Sequence, residues 1–313
     1  MTKILITGGA GNVGGALAQK LVQNPEYFVV VVDNLLTGSL DKLPPSTFTN
    51  FKFIKADVNN YEELSAIMLS HQFNFVFHYA AMVGVKRTLD HPLGVLEDIE
   101  GIKHILSLSK NTGVKRIFYS SSSEVYGEPV EFPQNEHTTP LNSKLPYAIV
   151  KNVGEAFFKS YQKELGLNFT IFRFFNTYGP LQSKDFVVSK FIHLALENKD
   201  IPIYGDGMQT RTLCYIDDNI DATVAIFEHN LYVNDVANIG SSLEIPIVEL
   251  AKKVIQITNS TSTIIHLAPL EEGDMTRRQP DIEKMKMVLK RDLLPIEEGI
   301  KRILEIKFGI KSV

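Results

Sequence analysis

The chain contains no tryptophan and a single cysteine, Cys214, among 313 residues. One thiol cannot close an intramolecular disulfide or build a thiolate metal cluster, so a reducing compartment fits. Charge of either sign is not in excess, with 32 Lys+Arg against 36 Asp+Glu. No block of like charge stands out, which argues against a nucleic-acid arm and a polybasic membrane patch. No apolar run nears the ~18 residues of a membrane span. The start, Met1-Thr2-Lys3, runs into a strand-like stretch without a signal-peptide layout. The eight histidines show no His-x-x-x-His or similar spacing, so no metal site is expected. A Pro/Ser-rich linker, an internal repeat and a low-complexity tract are also missing. What is present, 44% hydrophobic and 22% charged residues, predicts a soluble cytoplasmic protein with a real core and a small polar ligand.

Over the first 175 residues, short β-branched or aromatic runs alternate with helical stretches. The strands are expected at Ile4–Thr7, Phe28–Val32, Phe51–Ile54, Phe73–Phe77, Arg116–Ser120 and Phe169–Phe174, and the helices at Val13–Gln23, Tyr61–Leu69, Val95–Lys110 and Tyr147–Leu165. That alternation predicts an α/β fold built on a doubly wound parallel sheet with crossover helices. After residue 175 the rhythm changes, which predicts a smaller α/β lobe over residues 176–313, with some later segments returning to the first domain. Cys214, in the apolar run Leu213-Cys214-Tyr215-Ile216, reads as a packing residue.

The first strand runs into Gly8-Gly9-Ala10-Gly11-Asn12-Val13-Gly14-Gly15 and then a helix. Glycines at 8, 11 and 14 in a strand–turn–helix context allow a tight turn, let backbone amides approach a pyrophosphate and let the helix pack on the strand. The second strand ends in Asp33-Asn34, with the acid 19 residues after Gly14. A carboxylate there accepts hydrogen bonds from ribose hydroxyls and repels a 2′-phosphate, which predicts NAD and not NADP. Asp57-Val58, ending the third strand, is placed to reach the adenine, or else Asp57 caps the next helix. Tyr147 and Lys151, four apart, share a helix face, so the lysine can lower the phenol's pKa. Ser122, Ser123 and Glu124 stand at the end of the fifth strand, where substrate lies in an open α/β sheet.

In order, the glycine turn, His78-Tyr79-Ala80-Ala81, Ser121-Ser122-Ser123-Glu124-Val125-Tyr126-Gly127, Tyr147-x-x-x-Lys151, Arg173-x-x-Asn176-Thr177-Tyr178-Gly179-Pro180 and Tyr204-Gly205-Asp206-Gly207 resemble the extended short-chain dehydrogenase/reductases that act on nucleotide sugars. The resemblance spans nearly the whole chain. It implies a Rossmann domain binding NAD, with Gly8, Gly11, Asn12, Val13, Gly14, Asp33, Asn34, Asp57, Val58, Ala80, Ala81, Tyr147 and Lys151 at the cofactor. It also implies Ser122, Tyr147 and Lys151 as catalytic groups, with Glu124 beside them. Ser123, Asn176, Arg211 and one of Arg277 and Arg278, taken here as Arg278, would hold the nucleotide sugar. A homodimer is implied as well, its seam drawn from Ile102, Leu106, Phe157 and Tyr161.

One position departs from the family: its usual Asn-x-x-Gly-Thr reads Asp98-Ile99-Glu100-Gly101-Ile102. The reaction expected is C4 epimerisation of a UDP-sugar through a 4-keto intermediate. The alternatives are decarboxylation of a UDP-glucuronate-type sugar, which Ser123, Glu124 and Arg278 resemble, and 4,6-dehydration. More remote is a non-catalytic NAD-binding sensor, which would have no use for the tyrosine–lysine pair.

Overall fold

The computed structural model describes residues 1–269 and 277–311. The chain divides into two compact units. One comprises Met1–Gly127, Pro140–Phe174 and Ile220–Asn238; the other comprises Glu128–Thr139, Phe175–Asn219 and Ile239–Val313.

The first unit opens with strand β1 (Thr2–Thr7), helix α1 (Asn12–Leu21), β2 (Tyr27–Asp33), β3 (Phe51–Lys55), α2 (Tyr61–His71) and β4 (Phe75–His78). Helices α3 (Val85–Asp90), α4 (Pro92–Leu96) and α5 (Asp98–Thr112), strand β5 (Arg116–Ser122), helix α6 (Pro146–Leu165) and β6 (Phe169–Phe174) follow. Strands β1 to β6 pair in parallel, in the spatial order β6-β5-β4-β1-β2-β3. A parallel sheet is covered on both faces, so its strands read as continuous apolar runs: Val29 to Val32 are fully buried. The direction of winding reverses between β1 and β4, and ligands of open α/β sheets bind at such a reversal, beyond the carboxyl ends of the strands.

A seventh strand, Asp235–Ile239, lies beside β6. Six strands were expected; this one has a buried polar residue, Asn238, where an apolar one would have marked it. The single helix expected over Val95–Lys110 is two, α4 and α5, with Pro92 opening the first. The seam expected between copies needs a larger correction. Ile102 and Leu106 are buried in the core of their own unit, together with Ile105 and Val150, and have no surface left to offer a second chain. Helical periodicity identified the apolar face of α5 but not the neighbour it packs on. Phe157 and Tyr161 of α6 are only partly buried against that core.

In the second unit, helix Val187–Leu196 packs on helix Ile247–Thr258, and strand Ile201–Tyr204 pairs in parallel with Ile264–Leu267. Cys214 is buried in a two-residue strand beside Thr177–Tyr178, as its apolar surroundings predicted.

Candidate functional site

The turn after β1 is shaped by contacts that only glycine permits. Gly8 has φ +69°, and a Cβ there would lie 2.5 Å from the backbone nitrogen of Ala80, the residue two past β4. A Cβ at Gly14 would lie 2.4 Å from the carbonyl oxygen of Gly8. The turn therefore sits in the crevice between the ends of β1 and β4, with Gly11 as the N-cap of α1 and no side chain capping it. Backbone N–H groups at the start of a helix, with no side chain over them, form an anion site suited to a pyrophosphate. The residues present fit NAD.

Asp33 ends β2 beside this turn. Its carboxylate accepts from the backbone N–H of Ala10 (3.0 Å) and of Leu35 (2.8 Å), which fixes the acid at the mouth of the glycine turn. Asn34 donates to Asp57 at 3.0 Å, so two of the expected cofactor residues meet. Asp57 is not the cap of α2. That role falls to Asn60, whose side chain accepts from the N–H of Glu63, while Asp57 receives the N–H of Asn59 (2.9 Å) and directs its own N–H to Glu63 (2.8 Å). Asp33→Ala is expected to weaken NAD binding by about 10- to 100-fold, the value of a charge-assisted hydrogen bond of ~1.5 to 3 kcal/mol. Titration calorimetry with NAD and NADP checks this, and tighter binding of NADP by the wild type would show the reading of Asp33 to be wrong.

At the end of β5 the chain leaves the sheet through a single 3-10 turn, Ser123–Tyr126, and Ser122 caps it by accepting from the N–H of Glu124 (3.2 Å). Ser122 and Ser123 are buried, and Glu124 is partly exposed. Tyr147 stands at the start of α6, next to Pro146. One turn on, Lys151 is buried and donates to the carbonyl of Ser120 (2.6 Å) and to its hydroxyl (3.3 Å). Its ammonium lies 5.0 Å from the ring centre of Tyr119 and 5.9 Å from that of Tyr147. Burial pulls the lysine down to about 8, against the pull of the Asp98 carboxylate, which favours the charged form.

Asp98, in the family's usual Asn position, accepts from the N–H of Met82 at 2.7 Å. Burial pushes its carboxyl above the usual range, while that N–H, the Lys151 charge and the Asn59 side chain hold it back. The acid thus belongs to the same group as the tyrosine–lysine pair. His78, at the end of β4, bonds the hydroxyl of Thr7 (2.8 Å) and is held down to about 3 by burial and then by Lys151. It is a neutral tie between β1 and β4 and gains no charge in the physiological range.

The structure brings Ser122, Glu124, Tyr147, Lys151 and the cofactor-turn residues into the first unit, and puts Asn176, Arg211 and Arg278 in the second. There, a cavity of about 280 Å³ is lined by Asn176, Phe186, Phe191, Tyr204, Gln209 and Arg211 among others. Arg278 is buried and does not line it. Arg277 is exposed, pairs with Glu244 (2.7 Å) and stacks on Phe132 at 4.2 Å. Two residues to which sequence reasoning gave no role, Glu155 and Arg173, are fully buried within the first unit and form an ion pair of 2.7 Å. Glu155 reads in sequence as one more charged position on an amphipathic helix.

Among the described residues no helix is long and apolar enough to cross a membrane, and no group of three or more His, Cys, Asp and Glu side chains is arranged to hold a metal ion. Residues 4–240 match the family model described as the NAD dependent epimerase/dehydratase family. The chain is 33% identical to a UDP-N-acetyl-alpha-D-glucosaminuronate decarboxylase of Bacillus cytotoxicus, over 97% of both chains. It is 32% identical to a putative UDP-glucose 4-epimerase of Methanocaldococcus jannaschii, over 96% of this chain and 97% of that one. A UDP-glucose 4-epimerase of Thermotoga maritima, solved with UDP-glucose, superposes with a TM-score of 0.91 at 31% identity, over 98% of this chain and 99% of that one. The protein is therefore a member of the NAD-dependent epimerase/dehydratase family, an NAD-dependent enzyme that acts on nucleotide sugars.

Proposed function

We propose that the protein is a C4 epimerase of a UDP-sugar, with Tyr147 as the proton-transferring group at the sugar O4. The observation that carries the reading is the buried Lys151 ammonium, one helical turn after Tyr147 and hydrogen-bonded to the carbonyl two residues before Ser122. A buried cation that close to a phenol favours the phenolate, which can then take the O4 proton while Ser122 hydrogen-bonds the same oxygen. NAD held at the glycine turn supplies reversible two-electron oxidation at C4. Tyr147 returns its proton to O4 once the 4-keto sugar has presented its other face. The cavity of the second unit takes the nucleoside in this reading, with Asn176 and Arg211 toward the diphosphate and Arg278, of the same unit, as a further nucleotide contact.

Decarboxylation is the second reading, favoured by Glu124 at the 3-10 turn and by the Bacillus cytotoxicus relative. Against it, Ala148-Ile149-Val150, between Tyr147 and Lys151, lacks an acid. Incubation with C4-deuterated UDP-sugars and uronic acids, read by NMR, separates the branches. Epimerisation retains the label at C4 and changes only the configuration. Decarboxylation retains it with release of carbon dioxide, and 4,6-dehydration moves it to C6. Loss of label to solvent would remove the mechanism altogether. A homodimer is part of the proposal, and a monomeric mass at micromolar concentration would refute it.

The acid at position 98 adds a prediction about pH. Turnover that needs the ammonium fails as pH rises through the Lys151 pKa, and Asp98 raises that pKa. Asp98→Asn keeps an acceptor for the Met82 N–H but removes the charge. The alkaline limb of kcat/KM is therefore expected about one pH unit lower than in the wild type, and an unmoved limb would show that Asp98 has no hold on the lysine.

A further inference from the structure

Helix α6 carries a second buried charge one turn beyond Lys151, and its partners lie on both strands next to the candidate catalytic serine. The Glu155 carboxylate accepts from the Ser121 hydroxyl at 2.7 Å and from the Arg173 guanidinium at 2.8 and 2.7 Å, one bond to each oxygen from the arginine. Ser121 and Arg173 are register partners across β5 and β6. Arg173 also donates to the Tyr126 hydroxyl (2.8 Å), which in turn donates to Asn238 on the seventh strand (2.8 Å). Tyr126 closes the 3-10 turn that begins with Ser123 and Glu124. Lys151 and Glu155, on one face of α6, therefore hold consecutive residues of β5, Ser120 and Ser121, immediately before Ser122.

A buried ion pair is weak evidence for stability, because apolar side chains of the same volume often do as well. What a bidentate pair supplies is direction: an arginine fork meets a carboxylate in one plane, and here that plane joins a helix to a strand pair. Burial raises the carboxyl, but the Arg173 bonds and charge, then Ser121, hold it below the usual range, so it is ionised in the working range.

We infer that Glu155 and Arg173 are positioning residues that fix the register of Tyr147 and Lys151 against Ser122 and hold the turn carrying Glu124. This rests on the reading of Tyr147, Lys151 and Ser122 given above. Neither residue touches the substrate. They act through α6, through Ser121 and through Tyr126.

The test uses the full-length NAD-loaded protein in three forms: Glu155→Gln, Arg173→Lys, and the double apolar exchange Glu155→Leu with Arg173→Met. Stability is read by urea unfolding, kcat and KM on whichever nucleotide sugar the wild type converts, and the Tyr147 titration by ¹³Cζ-tyrosine NMR, with Tyr147→Phe to assign the signal. Glu155→Gln is expected to lose about 100-fold in kcat, the cost of a misplacement of order 1 Å, with KM and NAD affinity changed less than about threefold. Its Tyr147 midpoint is expected at least about half a pH unit higher, because the ammonium no longer lies where it favours the phenolate. The double exchange is expected to recover the urea midpoint without recovering kcat or the titration. A wild-type Tyr147 titration in folded Glu155→Gln, or recovery of both kcat and titration by the double exchange, overturns the inference. If Glu155→Gln does not fold, Arg173→Lys and the double exchange decide it by the same two readouts. Should the wild type convert no nucleotide sugar, the proposed function fails, and the Tyr147 titration alone decides the positioning role.

Discussion

Tyr147→Phe is expected to lose about 10³-fold or more in kcat while NAD and nucleotide-sugar affinities change less than about threefold. Only one oxygen is removed, and the ring remains at the start of α6, partly buried against the core. A free phenol near pH ~10 is about one part in a thousand ionised at neutral pH, so the residue is useful only where a cation favours its anion. In the proposed mechanism Lys151 is that cation, its ammonium 5.9 Å from the Tyr147 ring centre. A thousandfold loss corresponds to about 4 kcal/mol of transition-state stabilisation, within reach of one proton transfer and its electrostatic support. Rapid-quench turnover together with calorimetric affinities separates the two effects. A variant that keeps wild-type kcat would remove Tyr147 from the chemistry, and one that loses substrate affinity in proportion would assign it to binding.

The sequence displays some of this arrangement and hides the rest, for physical reasons. The glycine turn is legible because backbone crowding dictates residue type: at Gly8 and Gly14 any side chain would strike the turn itself or the chain beyond β4. The tyrosine–lysine pair is legible because both members ride one helix four residues apart. Contacts set by tertiary packing are not. Glu155 and Arg173 are 18 residues apart on different elements, and no local pattern separates a charge that faces water from one that faces a buried fork. The same blindness put Ile102 and Leu106 in a seam between chains, although they fill their own core. Asp98 lies between these cases. Its departure from the family's asparagine is visible in the sequence, but its part in the lysine's electrostatics emerges only when Met82, Asn59 and Lys151 surround it.

Lys151→Met is expected to make the cofactor-free protein more stable at neutral pH while abolishing most turnover. A lysine held down to about 8 from 10.5 is harder to protonate folded than unfolded, so between those values the unfolded chain binds more protons and stability rises with pH. Below pH 8 the penalty is present in full, roughly 3 kcal/mol at ~1.4 kcal/mol per pH unit. Methionine removes that penalty and fills much of the same volume. It forfeits the bond to the Ser120 carbonyl and leaves Asp98 without its cation, which returns part of the gain, so a net stabilisation of about 1 to 2 kcal/mol is expected at pH 7. The gain should shrink as pH rises above 8 and change sign before about pH 10.5, because the ionisation penalty fades while the lost contacts remain; only well above 10.5 is the wild-type lysine neutral in both states. Urea unfolding of both proteins at pH 7, 8.5 and 10 measures this, with the m-value checking that the denatured state is unchanged. A variant less stable than the wild type at pH 7, or a gain that grows with pH, would mean that the buried ammonium is solvated in the free protein. A stabilised but inactive variant would mark Lys151 as a charge kept in the core, at a cost to the fold, for what it does to Tyr147.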